Sequence, residues 1–304
     1  MKNLLRITLI IFCLIPVFAS AQKINSVQLL ADLEYLASDQ LEGRSPLTTG
    51  SLLARKYIKE RFENLGMTSQ YPDFTQYFSF KGRRNMDFEN AANIIGFIPG
   101  QNTNKLIVIM AHYDHLGKIG EKIFNGADDN ASGTAAVMAF AAYFSENRPN
   151  HSMMFVALDA EEMGHQGAKA LVADFPFELE DVVLNINMDM ISRNEDNEIY
   201  AVGTYHFPFL KPLIQSVSEG SQPKLLFGHD EPNSGLQDWS MASDHSQFFL
   251  NNIPFIYFGV EDHEDYHKDT DTFENIHPDF YISVAELILE VIISLDNSLL
   301  EKMD

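Results

Sequence analysis

Histidine and carboxylate side chains suited to divalent metal follow one another along the chain: His112 in A-H-Y-D-H-L-G, Asp128 in G-A-D-D-N-A-S-G, Glu161 and Glu162 in D-A-E-E-M-G, Asp189 in N-M-D-M, and His267 in D-Y-H-K-D-T-D-T. Two imidazoles and three of the carboxylates supply enough donors for a pair of ions, and one carboxylate is left over as a base. Nitrogen and oxygen donors without thiolate suit zinc, cobalt or manganese, and two such ions sharing a carboxylate sit about 3.5 to 4 Å apart. The chemistry this points to is hydrolysis. Taken singly, each fragment is ordinary. An isolated H-x-D is common, an E-E pair is usually a solvated turn, and D-D-N ahead of an apolar run is a helix N-cap.

Composition removes most alternatives. The one cysteine, Cys13, lies in an opening segment with basic Lys2 and Arg6, an apolar run from Ile7 to Phe18, and Ala19-Ser20-Ala21. That pattern predicts a secretory signal over residues 1–21 with an A-x-A cleavage site, and a secreted or periplasmic protein. A membrane anchor needs about 20 apolar residues, more than this run provides, and Pro16 interrupts it. The mature chain, residues 22–304, then has no disulfide, no catalytic thiol and no zinc-thiolate finger, so any metal is held by nitrogen and oxygen. The formal charge of −22 becomes more negative by two when Lys2 and Arg6 are removed. Such a surface repels nucleic acid and anionic lipid, so neither is an expected partner. Without an internal repeat, low-complexity tract or linker, residues 22–304 are expected to form one large catalytic domain.

The elements that must position the site alternate. Residues 27–37 and 50–65 carry Leu29, Leu30, Leu33 and Leu36, then Leu53, Tyr57, Phe62 and Leu65, at helical spacing, with Gly66 as a stop. Buried strands are predicted over Asn93 to Ile98, Leu106 to Ala111, Met153 to Leu158, Val182 to Met188, Glu198 to Val202 and Pro254 to Phe258. Helices are predicted around Ala131 to Phe144, Gly167 to Ala173, Phe209 to Ser218 and Ile282 to Leu299. This alternation predicts an α/β fold with a mostly parallel central sheet. His112, the Glu161–Glu162 pair, Asp189 and the segment with His267 each follow a predicted strand. In open α/β sheets, ligands gather outside the carboxyl ends of the strands.

The set H-x-D, G-A-D-D-N-A-S-G, E-E-x-G, M-D-M, S-D-H and Y-H-x-x-x-D-T resembles the M28 family of di-zinc aminopeptidases in order and approximate spacing. The resemblance runs from about Leu33 to Leu287, because L-A-S-D-Q-L-E-G-R-S and F-E-N-L-G-M also look like that family. It implies a three-layer α/β/α sandwich with a mixed, mostly parallel sheet of the phosphorylase/hydrolase-like, zinc-peptidase type. It also implies two zinc ions: His112 and Asp189 on the first, Glu162 and His267 on the second, and Asp128 bridging both. Asp114 would accept the free N–H of His112, a contact that metal-bound histidines nearly always need. In that family the peptide bond after the bridging residue, here Asp128–Asp129, is usually cis. Glu161 is then the general base, and Tyr266 resembles the tyrosine that donates to the oxyanion.

Of the other polar residues, His115 and His263 sit near ligands but lack a matching motif position, while His245 with Asp244 in S-D-H is expected to support the site wall. The acidic run Glu261 to Asp265 reads as a solvated loop and Arg193 as a structural salt bridge. Phe227, Phe248, Phe255 and Tyr257 are read as core ahead of an apolar specificity pocket.

The expected activity is removal of N-terminal residues from peptides with a free N-terminus. Two alternatives stay open. One is a glutaminyl cyclase-like acyltransferase with one zinc, against which Asp129 and Tyr266 are weighed. The other is a non-catalytic binding ectodomain, disfavoured because His112, Asp128, Glu161, Glu162, Asp189 and His267 are all present.

Overall fold

A computed structural model describes residues 23–82, 85–232 and 234–301. The expected signal, residues 1–21, lies outside them. The helices are α1 (Ser26–Leu36), α2 (Thr49–Asn64), α3 (Gly133–Glu146), α4 (Gln166–Ala173), α5 (Lys211–Ser218), α6 (Ser246–Phe249) and α7 (Pro278–Glu301). Eight strands form one sheet: β1 (Thr75–Lys81), β2 (Asp87–Ile98), β3 (Asn102–His112), β6 (His151–Leu158), β7 (Val182–Met188), β8 (Glu198–Val202), β9 (Lys224–Phe227) and β10 (Phe255–Gly259). A small hairpin, β4 (Gly117–Ile119) with β5 (Lys122–Phe124), stands apart.

Sheet order is β1-β2-β6-β3-β7-β10-β8-β9. The central four, β6, β3, β7 and β10, run parallel, and antiparallel pairings join β1 to β2, β2 to β6, and β8 to β10. The sheet is therefore mixed around a parallel centre, as expected. Strand β3 shows why it is covered on both faces. Ile107, Ile109 and Ala111 point into a core with Leu29 and Leu33 of α1, Ile58 and Phe62 of α2, Phe140 of α3 and Ile288 of α7. Leu106, Val108 and Met110 pack on the other face against Ala168 and Leu171 of α4 and Phe248 of α6. A period of two with both sets apolar is the pattern of a doubly covered strand, and it gives the three layers.

Several elements depart from the sequence expectations. Strands β1 and β9, the hairpin β4–β5 and helix α6 were not predicted, and β2 and β3 begin at Asp87 and Asn102 instead of Asn93 and Leu106. β1 and β9 are the sheet's outer strands; β1 alternates between exposed and half-buried residues along its outer part, and the apolar run of β9 is short, Leu225 to Phe227.

The early L-E-G-R stretch has a task that its sequence does not advertise. Arg44 is fully buried and donates to four backbone carbonyls: those of Leu36, Tyr113, Asn125 and Gly126, at 2.5 to 2.9 Å. Burial pulls its pKa down to about 10, with Asp271 and Asp114 opposing. One guanidinium with five fixed donors thus ties the end of α1 to the two loops that carry site residues.

Candidate functional site

The parallel strands end on one edge of the sheet, and their next residues converge there. His112 closes β3, Glu161 and Glu162 follow β6, Asp189 follows β7, and His267 lies in the loop after β10. His112 is buried, with its carbonyl held by the Thr134 hydroxyl at 2.7 Å. Its Nδ1 faces the Asp114 carbonyl oxygen at 3.2 Å and the Asp114 carboxylate at 3.6 Å. A proton on Nδ1 leaves the Nε2 lone pair aimed at the carboxylates across the site. The Asp114 side chain does more than was expected of it, accepting the backbone amides of Glu161 (2.9 Å) and Glu162 (3.3 Å).

The bridging position is where the structure departs from expectation. Asp129, not Asp128, lies between the histidines. Its Oδ1 is 3.4 Å from His112 Nε2, and its Oδ2 is 3.1 Å from His267 Nε2 and 3.8 Å from His115 Nδ1. Two clusters of donor atoms close enough to share an ion result: His112, Asp129 and Asp189 in one, His115, Asp129 and Glu162 in the other. Asp128 belongs to neither. Its carboxylate accepts from the Ser192 amide (2.6 Å) and hydroxyl (2.8 Å), and its other oxygen meets His263 Nε2 at 3.0 Å.

The physical reason is the turn over residues 127–132. Both amides of the pair, Asp128 N and Asp129 N, donate to the Asp271 carboxylate at 2.9 and 3.1 Å, which fixes the turn so that successive side chains leave in different directions. The cis peptide lies one residue later than expected, at Asp129–Asn130. The Asn130 side chain then caps α3 by accepting from the Gly133 amide at 2.9 Å. Gly126, with φ of +58°, lets this turn approach the histidine loop. A Cβ there would come within 2.1 Å of the Asp129 carbonyl and 2.5 Å of the His115 ring.

His267 and Glu162 lie side by side, His267 Nε2 being 3.5 Å from Glu162 Oε2. His115 joins them unannounced. It is fully buried, its Nδ1 is 2.8 Å from Glu162 Oε1, and both its ring nitrogens and that oxygen lack a hydrogen-bond partner among the described residues. Buried polar atoms are rarely left unpaired, so an imidazole and a carboxylate in this state fit a shared cation. The signal for His115 was a second histidine three positions beyond His112, but only the close approach allowed by Gly126 gives that spacing meaning.

The electrostatics are those of crowded carboxylates balanced by imidazoles. Burial and the charges of Asp189, Glu162 and Asp114 push Glu161 well above the usual carboxylate range, with His112 opposing. Asp189 is raised by burial as well. Asp129 goes the other way: burial opposes its charge, but His115, His112 and His267 hold it well below the usual range. His267 is raised to about 10 by its contacts with Asp129 and Glu162. Imidazole nitrogens and carboxylate oxygens, with no thiolate in the site, are a donor set that zinc accepts, and a divalent cation would supply the compensating charge here.

These residues line a cavity of about 1010 Å³, with Glu161, Glu162, Asp129, Asp189 and His267 on one side and Met163, Met190, Trp239, Tyr257 and Val260 among its apolar walls. Tyr266 also lines it, stacked on the His267 ring at 3.9 Å between centroids. Burial, then Asp129 and Asp189, raise the Tyr266 pKa, so this phenol keeps its proton and can donate. Of the aromatics expected in the core, Phe248 and Phe255 are fully buried, whereas Tyr257 reaches the cavity. His245 is buried behind Tyr257, stacked on it at 4.7 Å, with Nε2 2.9 Å from the Trp239 carbonyl. It supports the wall without approaching the clusters. Arg193 pairs with Glu195, Glu264 and Asp265 and is structural.

Fold and site together define a class: α/β proteins that carry a two-lobed histidine and carboxylate cluster, fit for metal, across the carboxyl ends of a parallel strand group. The chain belongs to Peptidase family M28, whose sequence model matches residues 93–292. It is similar to Leucine aminopeptidase 1 of Ajellomyces capsulatus (strain NAm1 / WU24), 29% identical over 182 residues that make up 55% of this chain and 47% of that protein. The chain spans about a third to a half of the length of the curated relatives it matches. Among solved structures it resembles a Zn-dependent exopeptidase from Parabacteroides distasonis ATCC 8503, with a TM-score of 0.72 and 17% identity over 89% of this chain and 98% of that one. It also resembles Porphyromonas gingivalis glutaminyl cyclase, with a TM-score of 0.74 and 16% identity over 90% and 99% of the two chains. At these identities the structural likeness speaks to the fold. No helix among the described residues is long and apolar enough to cross a membrane.

Proposed function

We propose that this chain is a secreted zinc aminopeptidase that hydrolyses the N-terminal residue from peptides, with residues 22–304 as its single catalytic domain. The observation that carries the reading is the Asp129 carboxylate, which turns one oxygen to His112 and the other to His267 beside an open cavity that also exposes Glu161. In this reading His112, Asp129 and Asp189 hold one zinc, and Asp129, Glu162 and His267 hold the second, with His115 within reach. When bound, the two ions supply the positive charge that acidifies water and polarises the scissile carbonyl.

Glu161 acts as the base. It belongs to neither cluster's donor set, lines the cavity, and has a carboxyl whose affinity for a proton is raised by burial and neighbouring charge. It can therefore take a proton from water and deliver it to the departing amine. Asp114 holds the Glu161 amide and faces His112, so it orients both. Tyr266 donates to the oxygen that becomes negative as the carbonyl is attacked. The free α-ammonium of the substrate is recognised by Glu161 and Asp189, and the walls of Met163, Met190, Trp239 and Tyr257 suit an apolar first side chain.

The likeness to a glutaminyl cyclase makes one-zinc cyclisation of an N-terminal glutamine the competing activity. The test runs one preparation against aminoacyl anilides and a Gln-peptide while counting metal. Release of anilide with about two zinc ions per chain is expected, and cyclisation with one ion would overturn the peptidase reading.

A further inference from the structure

His165 has no part in either cluster, yet it reaches the proposed base. Its Nε2 lies 3.1 Å from Glu161 Oε1, and its Nδ1 lies 3.1 Å from the Ser246 hydroxyl. That hydroxyl already accepts from the Gln247 side-chain amide at 3.1 Å. When the hydroxyl turns its own hydrogen to His165 Nδ1, the imidazole hydrogen sits on Nε2, the nitrogen in contact with Glu161. The backbone is bent to permit this. His165 has φ of +56°, in the left-handed region that non-glycine residues seldom occupy, at the turn where its amide returns to the Glu161 carbonyl at 2.8 Å. A residue held there against its preference, with its ring in the cavity wall, is the kind of local cost that persists at functional sites.

We propose that His165 is a positioning residue for Glu161. From this contact a small turn of either side chain brings Nε2–H onto Oε1, which holds the carboxylate in one rotamer and leaves Oε2 as the oxygen that meets water in the cavity. Ser246, on α6, sets the ring's tautomer, so the second layer of the site comes from a helix on the far side of the sheet from α3. The inference rests on the reading of Glu161 as base.

The experiment compares His165→Ala, His165→Gln and Ser246→Ala, each alone and with Glu161→Gln, by kcat and KM on an aminoacyl anilide, zinc content and melting temperature. Loss of a hydrogen bond to a charged group predicts a kcat lower by about 10- to 100-fold for His165→Ala. KM and zinc content should hold within about 2-fold, with partial recovery in His165→Gln, which keeps a donor. Ser246→Ala should fall in the same direction by less. In the Glu161→Gln background His165→Ala should cost nothing more, because a rotamer that no longer carries the base cannot be mispositioned. Equal losses in both backgrounds, or a His165→Ala enzyme with unchanged kcat, would overturn the positioning role while leaving Glu161 as the base. Undiminished turnover in Glu161→Gln alone would remove the base reading and this inference with it.

Discussion

Exchanging Asp129 and Asp128 for asparagine, one at a time, separates the site found here from the one the motif suggests. Asp129 offers Oδ1 within 3.4 Å of His112 Nε2 and Oδ2 within 3.1 Å of His267 Nε2. An amide at this position removes the one negative charge shared by both clusters and turns an N–H₂ toward one of them. Changing a residue that merely supports a metal ligand costs about 10- to 100-fold in affinity, so losing a shared ligand should cost each ion at least that much. Asp129→Asn, dialysed against a small excess of zinc, is expected to approach zero metal per chain and to lose hydrolysis by at least about 10²-fold. Asp128 contacts Ser192 and His263, and an amide oxygen can keep the Ser192 bonds. Asp128→Asn should lose about 1.5 to 3 kcal/mol of stability with its charged contact and still approach two ions. Elemental analysis and urea denaturation read both quantities from one sample. Metal lost in Asp128→Asn and kept in Asp129→Asn would return the bridge to the first aspartate. Loss of a single ion in Asp129→Asn would show that the clusters are independent.

Three further outcomes are expected. Glu161→Gln should lower turnover by about 10² to 10⁴ with zinc content unchanged, whereas Glu162→Gln should weaken one ion; elemental analysis beside kcat checks both, and exchanged phenotypes would reverse their roles. N-acetylated substrates should be cleaved about 10²-fold less well than free ones, since acetylation removes the ammonium that Glu161 and Asp189 recognise; equal rates would exclude an aminopeptidase. Burial holds the His245 pKa at about 3, opposed by its contact with the Trp239 carbonyl. The unfolded chain therefore takes up a proton below about pH 6.5 that the folded chain refuses until about pH 3, so stability falls as pH drops through that window. At pH 5 the loss is on the order of 2 kcal/mol relative to pH 7, and His245→Gln should show a shallower decline in urea midpoint; parallel curves would contradict it.

The fold was legible because its central strands are buried on both faces. Leu106 to Ala111 and Met153 to Leu158 read as continuous apolar runs, and a histidine or carboxylate directly after each such run marks the edge where the strands end. The outer strands β1 and β9 lack that signal, since each has a strand on one side only and most of its residues are left partly or fully exposed. The site residues were legible as types and order, but not as directions. Asp128 and Asp129 are the same residue in adjacent positions, and which one faces the histidines depends on a turn clamped by Asp271, over 140 positions away. His115 and His165 escaped for the same reason: a three-residue offset from His112 and a four-residue offset from Glu161 are unremarkable until the turn at Gly126 and the bend at His165 are known.

What the structure adds to the motif is a second set of carboxylates, buried and outside the lining of the cavity. Asp114 accepts the amides of Glu161 and Glu162, and Asp271 accepts those of Asp128 and Asp129. Each therefore holds by the backbone a pair of adjacent acidic residues and sets the directions in which their side chains leave. Side-chain placement within a fraction of an ångström requires that the supporting backbone not relax when charge is added or removed, and amide bonds to a buried carboxylate provide that rigidity. Asp271 also sits in the Y-H-x-x-x-D-T segment with His267, so one stretch of chain brings an imidazole to within 3.1 Å of Asp129 and holds the Asp129 amide. The four-residue spacing between His267 and Asp271 thus ties the loop after β10 to the turn before α3 at two points, the Asp129 carboxylate and the Asp128 and Asp129 amides.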